Sequence, residues 1–178
     1  MNHTRTTALV ALAATGLLLA GCSSSDPTPA KPADAADPGT GSATVAAGRA
    51  DATEAFATIA GSVKSAKLSG TVTAENDGNH LLGRPGQYTS KITFTDRRIK
   101  SADTQGLEPG DVGYGGSVET FANPDDAATR ATYIQAVTKN IPALIEYDFV
   151  HGTNVIRVSH FLTPVQAKEY DAAGGTLR

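Results

Sequence analysis

The sequence predicts a small α+β domain: one mainly antiparallel sheet with helices packed on one face, in the order α-β-β-β-α-β-β-α. Three observations predict it. Two strand-like runs, 144–150 and 155–160, flank His151-Gly152-Thr153-Asn154 and read as a hairpin. A third run, 90–96, alternates, with Ile92 and Phe94 on one side and Lys91, Thr93 and Thr95 on the other. Helix-start signals stand at Asp51, Asn123 and Thr163. Helices segregated from an antiparallel sheet define the α+β class.

The first helix is expected over 51–66. Ala52, Ala55, Phe56, Ile59, Ala60 and Val63 recur at helical spacing, and Asp51 with Glu54 forms a capping-box pattern. A weak strand follows at 68–73. The segment 75–87 (ENDGNHLLGRPGQ) reads as a loop from its Asn, Asp, Gly and Pro content. After the alternating strand, a Gly-rich stretch over 97–115 is long for a small domain, which marks it as functional or mobile. A short strand is expected at 118–121.

Asn123-Pro124-Asp125-Asp126 starts the second helix: Asn caps, Pro suits the first turn, and the acids suit the positive helix end. Its buried face is Ala127, Ala131, Ile134 and Val137, with Arg130 and Tyr133 beside it. In the hairpin, Phe149 should face Ile156, Tyr147 face Val158, Ile145 face His160 and Asp148 face Arg157. Thr163-Pro164-Val165-Gln166 is a capping box that opens the last helix, with Leu162 stapling onto Ala167 and Gly174-Gly175 ending it.

Ahead of the domain (49–178) lie two segments of other kinds. Residues 1–21 read as a signal peptide: Arg5 supplies the positive start, and 8–20 form an apolar run too short for a comfortable membrane span. Leu19-Ala20-Gly21-Cys22 resembles the lipobox of bacterial lipoproteins. That resemblance implies that the Cys22 thiol takes a diacylglyceryl group and that the chain is cut before Cys22. Two acyl chains hold a protein on a membrane stably, where one does so only marginally. Residues 23–48 are rich in Pro, Ala, Ser, Asp and Gly and read as a flexible tether. Its root-mean-square reach as a coil is roughly 25–30 Å. The implied place of the domain is the outer face of the cell membrane, lipid-anchored.

Composition excludes several functions. Arg5 leaves with the signal peptide, so 14 of the 15 Lys and Arg remain against 18 Asp and Glu; no basic field for nucleic acid exists. Cys22 is the only cysteine, which rules out an internal disulfide and a Cys-based zinc site. His80, His151 and His160, with Glu119 or Asp148, match no metal-ligand spacing, and neither a metal nor a cofactor is expected. No nucleophile motif and no phosphate-binding loop appear, so catalytic residues are not assigned and a non-enzyme is favoured.

Ligand-contact residues are sought instead. Leu81 and Leu82 in a loop must either plug the core or offer a sticky surface. Arg84 and Tyr88 beside them are residue types enriched at binding hot spots. Arg157, opposite Asp148, either orients an anionic ligand or forms a plain cross-strand ion pair. The cluster Asp96-Arg97-Arg98-Ile99-Lys100 would touch anionic lipid or wall polymer, or simply end a strand in solvent.

The segments HLLGRPGQYTSK, GGSVETFANPDDAATRATYIQA and LTPVQAKEY resemble a group of small, uncharacterised exported lipoproteins of actinobacteria, over about residues 70–173. The resemblance implies a shared fold and an envelope location, and brings no activity or catalytic residue. The expected function is a membrane-anchored binding or interaction module whose partner is an envelope protein or wall polymer. The alternatives are an envelope hydrolase with a dispersed site, or an immunity or exclusion lipoprotein.

Overall fold

The computed structural model describes residues 51–177. The lipobox at Cys22, the signal segment and the tether lie outside the described residues. The described residues fall within one compact unit. That unit carries every described element and both apolar clusters, which is what an independently folding domain needs.

The elements are α1 (Ala52–Ser62), β1 (Ala66–Thr71), β2 (Ser90–Asp96), β3 (Gly115–Thr120), α2 (Pro124–Thr138), β4 (Glu146–His151), β5 (Asn154–Ser159) and α3 (Pro164–Gly174). Single 3-10 turns stand at Val112–Tyr114 and Pro142–Leu144. The sheet order is β1-β2-β3-β5-β4 and every pairing is antiparallel. The α+β class, the antiparallel sheet and the element order are therefore as the sequence predicts.

Local chemistry accounts for the boundaries. The Asp51 carboxylate accepts from the Thr53 and Glu54 amides, satisfying two of the four free donors at the start of α1. Asn123 caps α2 through Asp126 N, and Thr163 with Gln166 closes a full capping box on α3. The hairpin turns on Gly152 and Thr153; Gly152 sits at φ 57°, where a Cβ is strained. The pairs Tyr147–Val158, Asp148–Arg157 and Phe149–Ile156 form in the predicted register. β1 begins two residues earlier than its predicted start and skips register between Leu68 and Gly70, a bulge that leaves Ser69 unpaired in the ladder.

The sheet has two unlike faces. On one, Ile92, Phe94, Val118, Ile156 and Val158 pack against Phe56 and Ile59 of α1 and Tyr170 and Ala173 of α3. Phe94 lies stacked between Phe56 and Tyr170, with both ring centroids 5.2 Å away. Gly116 makes this possible, since a Cβ there would collide with the Phe94 ring and the Arg157 carbonyl.

The helices do not all share that face. Ala127 and Ala131 of α2 pack with Tyr88, Phe121 and Val155 in a second cluster on the opposite side. The reason is alternation: Val155 and Ile156 point to opposite faces, and so do Val118 and Glu119. α2 covers only part of that second face, and the remainder is polar.

Candidate functional site

The polar residues of four strands fall on the second face. Lys91 and Thr93 of β2 stand opposite Glu119 and Ser117 of β3. Ser117 in turn stands opposite Arg157 of β5, and Arg157 opposite Asp148 of β4. Alternating strands with one apolar face must place these side chains together.

Glu119 is the hub. Its carboxylate is fully buried and receives Lys91 Nζ at 2.9 Å, Arg130 Nε at 3.0 Å and Arg157 Nη1 at 3.2 Å. Burial alone would push the Glu119 carboxyl up, but the charges of Lys91, Arg157 and Arg130 outweigh it and hold the group at about 2. Arg157 also gives Nε and Nη2 to the two Glu146 oxygens at 2.8 and 2.9 Å, a bidentate fork.

Asp148 receives no bond from Arg157, although their Cα atoms are register partners. The guanidinium reaches the diagonal neighbour Glu146 instead, which long side chains allow. The expected Arg157–Asp148 pair is thus replaced by Arg157–Glu146 and Arg157–Glu119. Burial, followed by the charge and hydrogen bonding of Glu146, raises Asp148 to about 8. The shift favours the protonated form of Asp148, and its buried Oδ1 has no hydrogen-bond partner.

Above this floor lies a half-open cleft of about 780 Å³, within the range of small-molecule sites. Lys91, Ser117, Arg157, Ser159 and Glu146 line it from the sheet, and Arg130, Tyr133, Ile134 and Val137 from α2. Leu107, Val112 and Phe161 close it from the long loop and the end of β5; Leu144 and Ile145 close it from the turn before β4. Tyr133, Val137, Leu144 and Ile145 are exposed, so one rim is an uncovered apolar wall.

Two donors at the floor keep capacity to spare. Arg130 spends only Nε on Glu119, and its guanidinium lies 5.8 Å from the Tyr133 ring centroid, which leaves both terminal amino groups uncommitted. Lys91 spends one of three donors on Glu119. The Ser117 hydroxyl, fully buried at the base of the cleft, has no hydrogen-bond partner.

The sequence-predicted contact residues fare differently. Tyr88 is fully buried rather than displayed, and its hydroxyl donates to Asp77 Oδ1 at 2.6 Å. The same Asp77 accepts from the Leu81 and Leu82 amides, each at 2.8 Å, and from Asn79. Burial would raise Asp77, yet these bonds hold it at about 2. Leu81 and Leu82 pack on the second cluster, so the loop is a plug. Tyr88 still bears on the site indirectly: Lys91 Nζ sits 5.1 Å from its ring centroid. Arg84 is exposed and is not among the cleft residues, whereas Arg157 is.

Asp96 and Arg98 form a separate node, in which Asp96 also receives the Tyr170 hydroxyl at 2.7 Å and Arg98 reaches Glu169. Of the histidines, His80 holds a left-handed turn at φ 52°, His151 bonds Asp171 at 2.9 Å, and His160 stacks near Phe161 at the cleft edge. Among the described residues no group of three His, Cys, Asp or Glu is disposed to hold a metal ion. No described helix is long and apolar enough to cross a membrane.

Comparison with family models, with curated proteins and with solved structures gave no match.

Lys91, Ser117, Glu119 and Arg130 were not singled out as one site from sequence. The available signal was the run of polar residues at same-face positions of β2, β3, β5 and β4. Alternation puts Lys91, Thr93 and Thr95 together on one side of β2, but it does not show what covers that side.

Proposed function

We propose that the domain is the ligand-binding module of an envelope lipoprotein, anchored to the outer face of the membrane by a diacylglyceryl group on Cys22, and that the cleft over the second sheet face is its binding site. One observation carries this. The cleft floor holds a buried hydroxyl without a partner and two cations with donors to spare, Lys91 buried and Arg130 partly so. A buried donor left unmade costs about 1–3 kcal/mol, and a bound acceptor relieves that cost. The apolar rim supplies the non-directional part of binding.

The test is native mass spectrometry of the lipidated chain, purified without refolding from the cells that make it. A small molecule retained by the wild-type protein and lost from Arg130→Gln is expected. If the two proteins carry the same adducts, the cleft is not the site.

An envelope hydrolase is the second reading, favoured by Asp148. A carboxyl whose titration is raised to about 8, on the same sheet face as the cleft residue Arg157, suits general acid–base work. Against it, Ser117 has no base to activate it and both Glu119 oxygens are taken by cations. Turnover of an ester or amide substrate that Asp148→Asn abolishes would favour this reading over simple binding.

A further inference from the structure

We infer that the cleft takes a singly charged amphiphile: a carboxylate carrying one alkyl tail, its head among Lys91, Arg130 and Ser117 and its tail along Tyr133, Val137 and Leu144. The inference rests on the cleft being a ligand site and adds the chemical class of the ligand.

The head follows from charge. Lys91 and Arg157 of the second sheet face and Arg130 of α2 stand as three cations against the paired carboxylates of Glu119 and Glu146. Burial and the neighbouring Glu146 carboxylate hold Asp148 towards its neutral form. The floor is left with one positive charge in excess, which one carboxylate neutralises. A dianionic phosphate would overshoot it, and a cation would be repelled. The other titratable side chains on the lining are Asp111, Tyr133 and His160; Asp111 is exposed, so water and salt screen its charge from the floor.

The donors fit the same group. Arg157 gives three of its five donors to Glu146 and Glu119, whereas Arg130 has two free amino groups and Lys91 two free protons. Lys91 pairs with Glu119 and Ser117 pairs with Thr93, so Lys91 and Ser117 are diagonal neighbours on one face. A carboxylate has two oxygens with which to accept from such a set.

The tail follows from the rim. Tyr133 is 61% exposed, Leu144 49% and Val137 41%, and all three line the cleft that the cations floor. Polar ligands give such a wall nothing to bury. An alkyl chain does, because burying apolar surface is the main source of affinity in such sites.

The test uses residues 44–178, labelled with 15N, and follows amide shifts of Ser117, Val137 and Arg157 at pH 7. The probes are decanoate, decyltrimethylammonium, acetate and decyl phosphate. Decanoate should shift these amides and bind about ten-fold or more tighter than each of the others. Lys91→Gln and Arg130→Gln should each weaken it about ten-fold. Should either fail to fold because Glu119 loses a partner, Val137→Asp on the exposed rim supplies the check, and a loss of at least about five-fold is expected there. Equal binding of decanoate and decyltrimethylammonium would overturn the charge argument, and tighter binding of decyl phosphate would overturn the monoanion. If another probe shifts the cleft amides and decanoate does not, the ligand class is wrong while the cleft remains a site. If no probe shifts them, both inferences fall.

Discussion

At the scale of single residues, two carboxyls on one sheet face are driven in opposite directions, and each yields a test. Glu119 is ionised and ringed by three cations. Glu119→Gln removes the common counter-charge and leaves the cations facing one another in a poorly solvated layer. A destabilisation of about 3–5 kcal/mol is expected from breaking such a buried set, read as a lower urea midpoint at unchanged slope. A change below about 0.5 kcal/mol, typical of an exposed surface site, would mean that Glu119 is better solvated than its burial indicates.

Asp148 behaves inversely. It titrates near 8 in the folded domain and near 4 in an unfolded chain. Between those values the folded state keeps a proton that the unfolded chain has released, so this group makes stability fall as pH rises from about 4 to 8. Asp148→Asn abolishes that titration. The variant should match the wild type near pH 4 and exceed it at pH 8 by as much as about 5 kcal/mol, four units at about 1.4 kcal/mol each, with a flatter profile between. Glu119 and Asp77, both held at about 2, work from the acid side. Their contributions are complete above about pH 4 and are lost as pH falls towards 2. The pH dependence of Tm in wild type and Asp148→Asn measures all three.

At the scale of elements, close approach of β3 to its neighbours rests on Gly116. A Cβ at Gly116 would meet the Phe94 ring and the Arg157 carbonyl, and neither can withdraw without disturbing a stacked core or the ladder. Gly116→Ala should cost about 1–3 kcal/mol, and a circular-dichroism melt of the domain measures it.

Helix starts were legible because they are local chemistry, whereas the first helix, expected to run to 66, ends at Ser62. Asn123 and Thr163 cap as their neighbours predict, and the α1 core positions Ala52, Ala55, Phe56, Ile59 and Val63 are all buried. Hairpin register was legible because Gly152 and the flanking strands determine it together. What was not legible depends on the third dimension. Val137 was expected to be buried and is exposed, because α2 overhangs the cleft at its C-terminal end. Tyr88 read as a displayed aromatic, but its buried partner Asp77 lies 11 residues away across a loop with no periodicity to announce it. The Lys91, Glu119, Arg130 and Arg157 set comes from three strands and a helix, and only strand order brings it together.

At the scale of the whole molecule, one face of the sheet is devoted to stability and the other to a charged, partly covered cleft. The first carries the stacked aromatics under α1 and α3. The second spends stability on buried ion pairs and unpartnered polar atoms, an arrangement expected where function rather than packing sets the residues. A lipid on Cys22 would hold this cleft within reach of the membrane, where amphiphiles are concentrated. Cys22→Ala should release the protein from the membrane fraction, and undiminished membrane retention of that variant would contradict the anchor.

The most direct measurement is a crystal structure of the protein purified from its own cells without refolding. Ordered non-protein density in the cleft is expected, with an acceptor atom within hydrogen-bonding distance of Lys91 Nζ and the Arg130 amino groups. A cleft filled only with water, or a ligand seated elsewhere on the domain, would contradict the central claim.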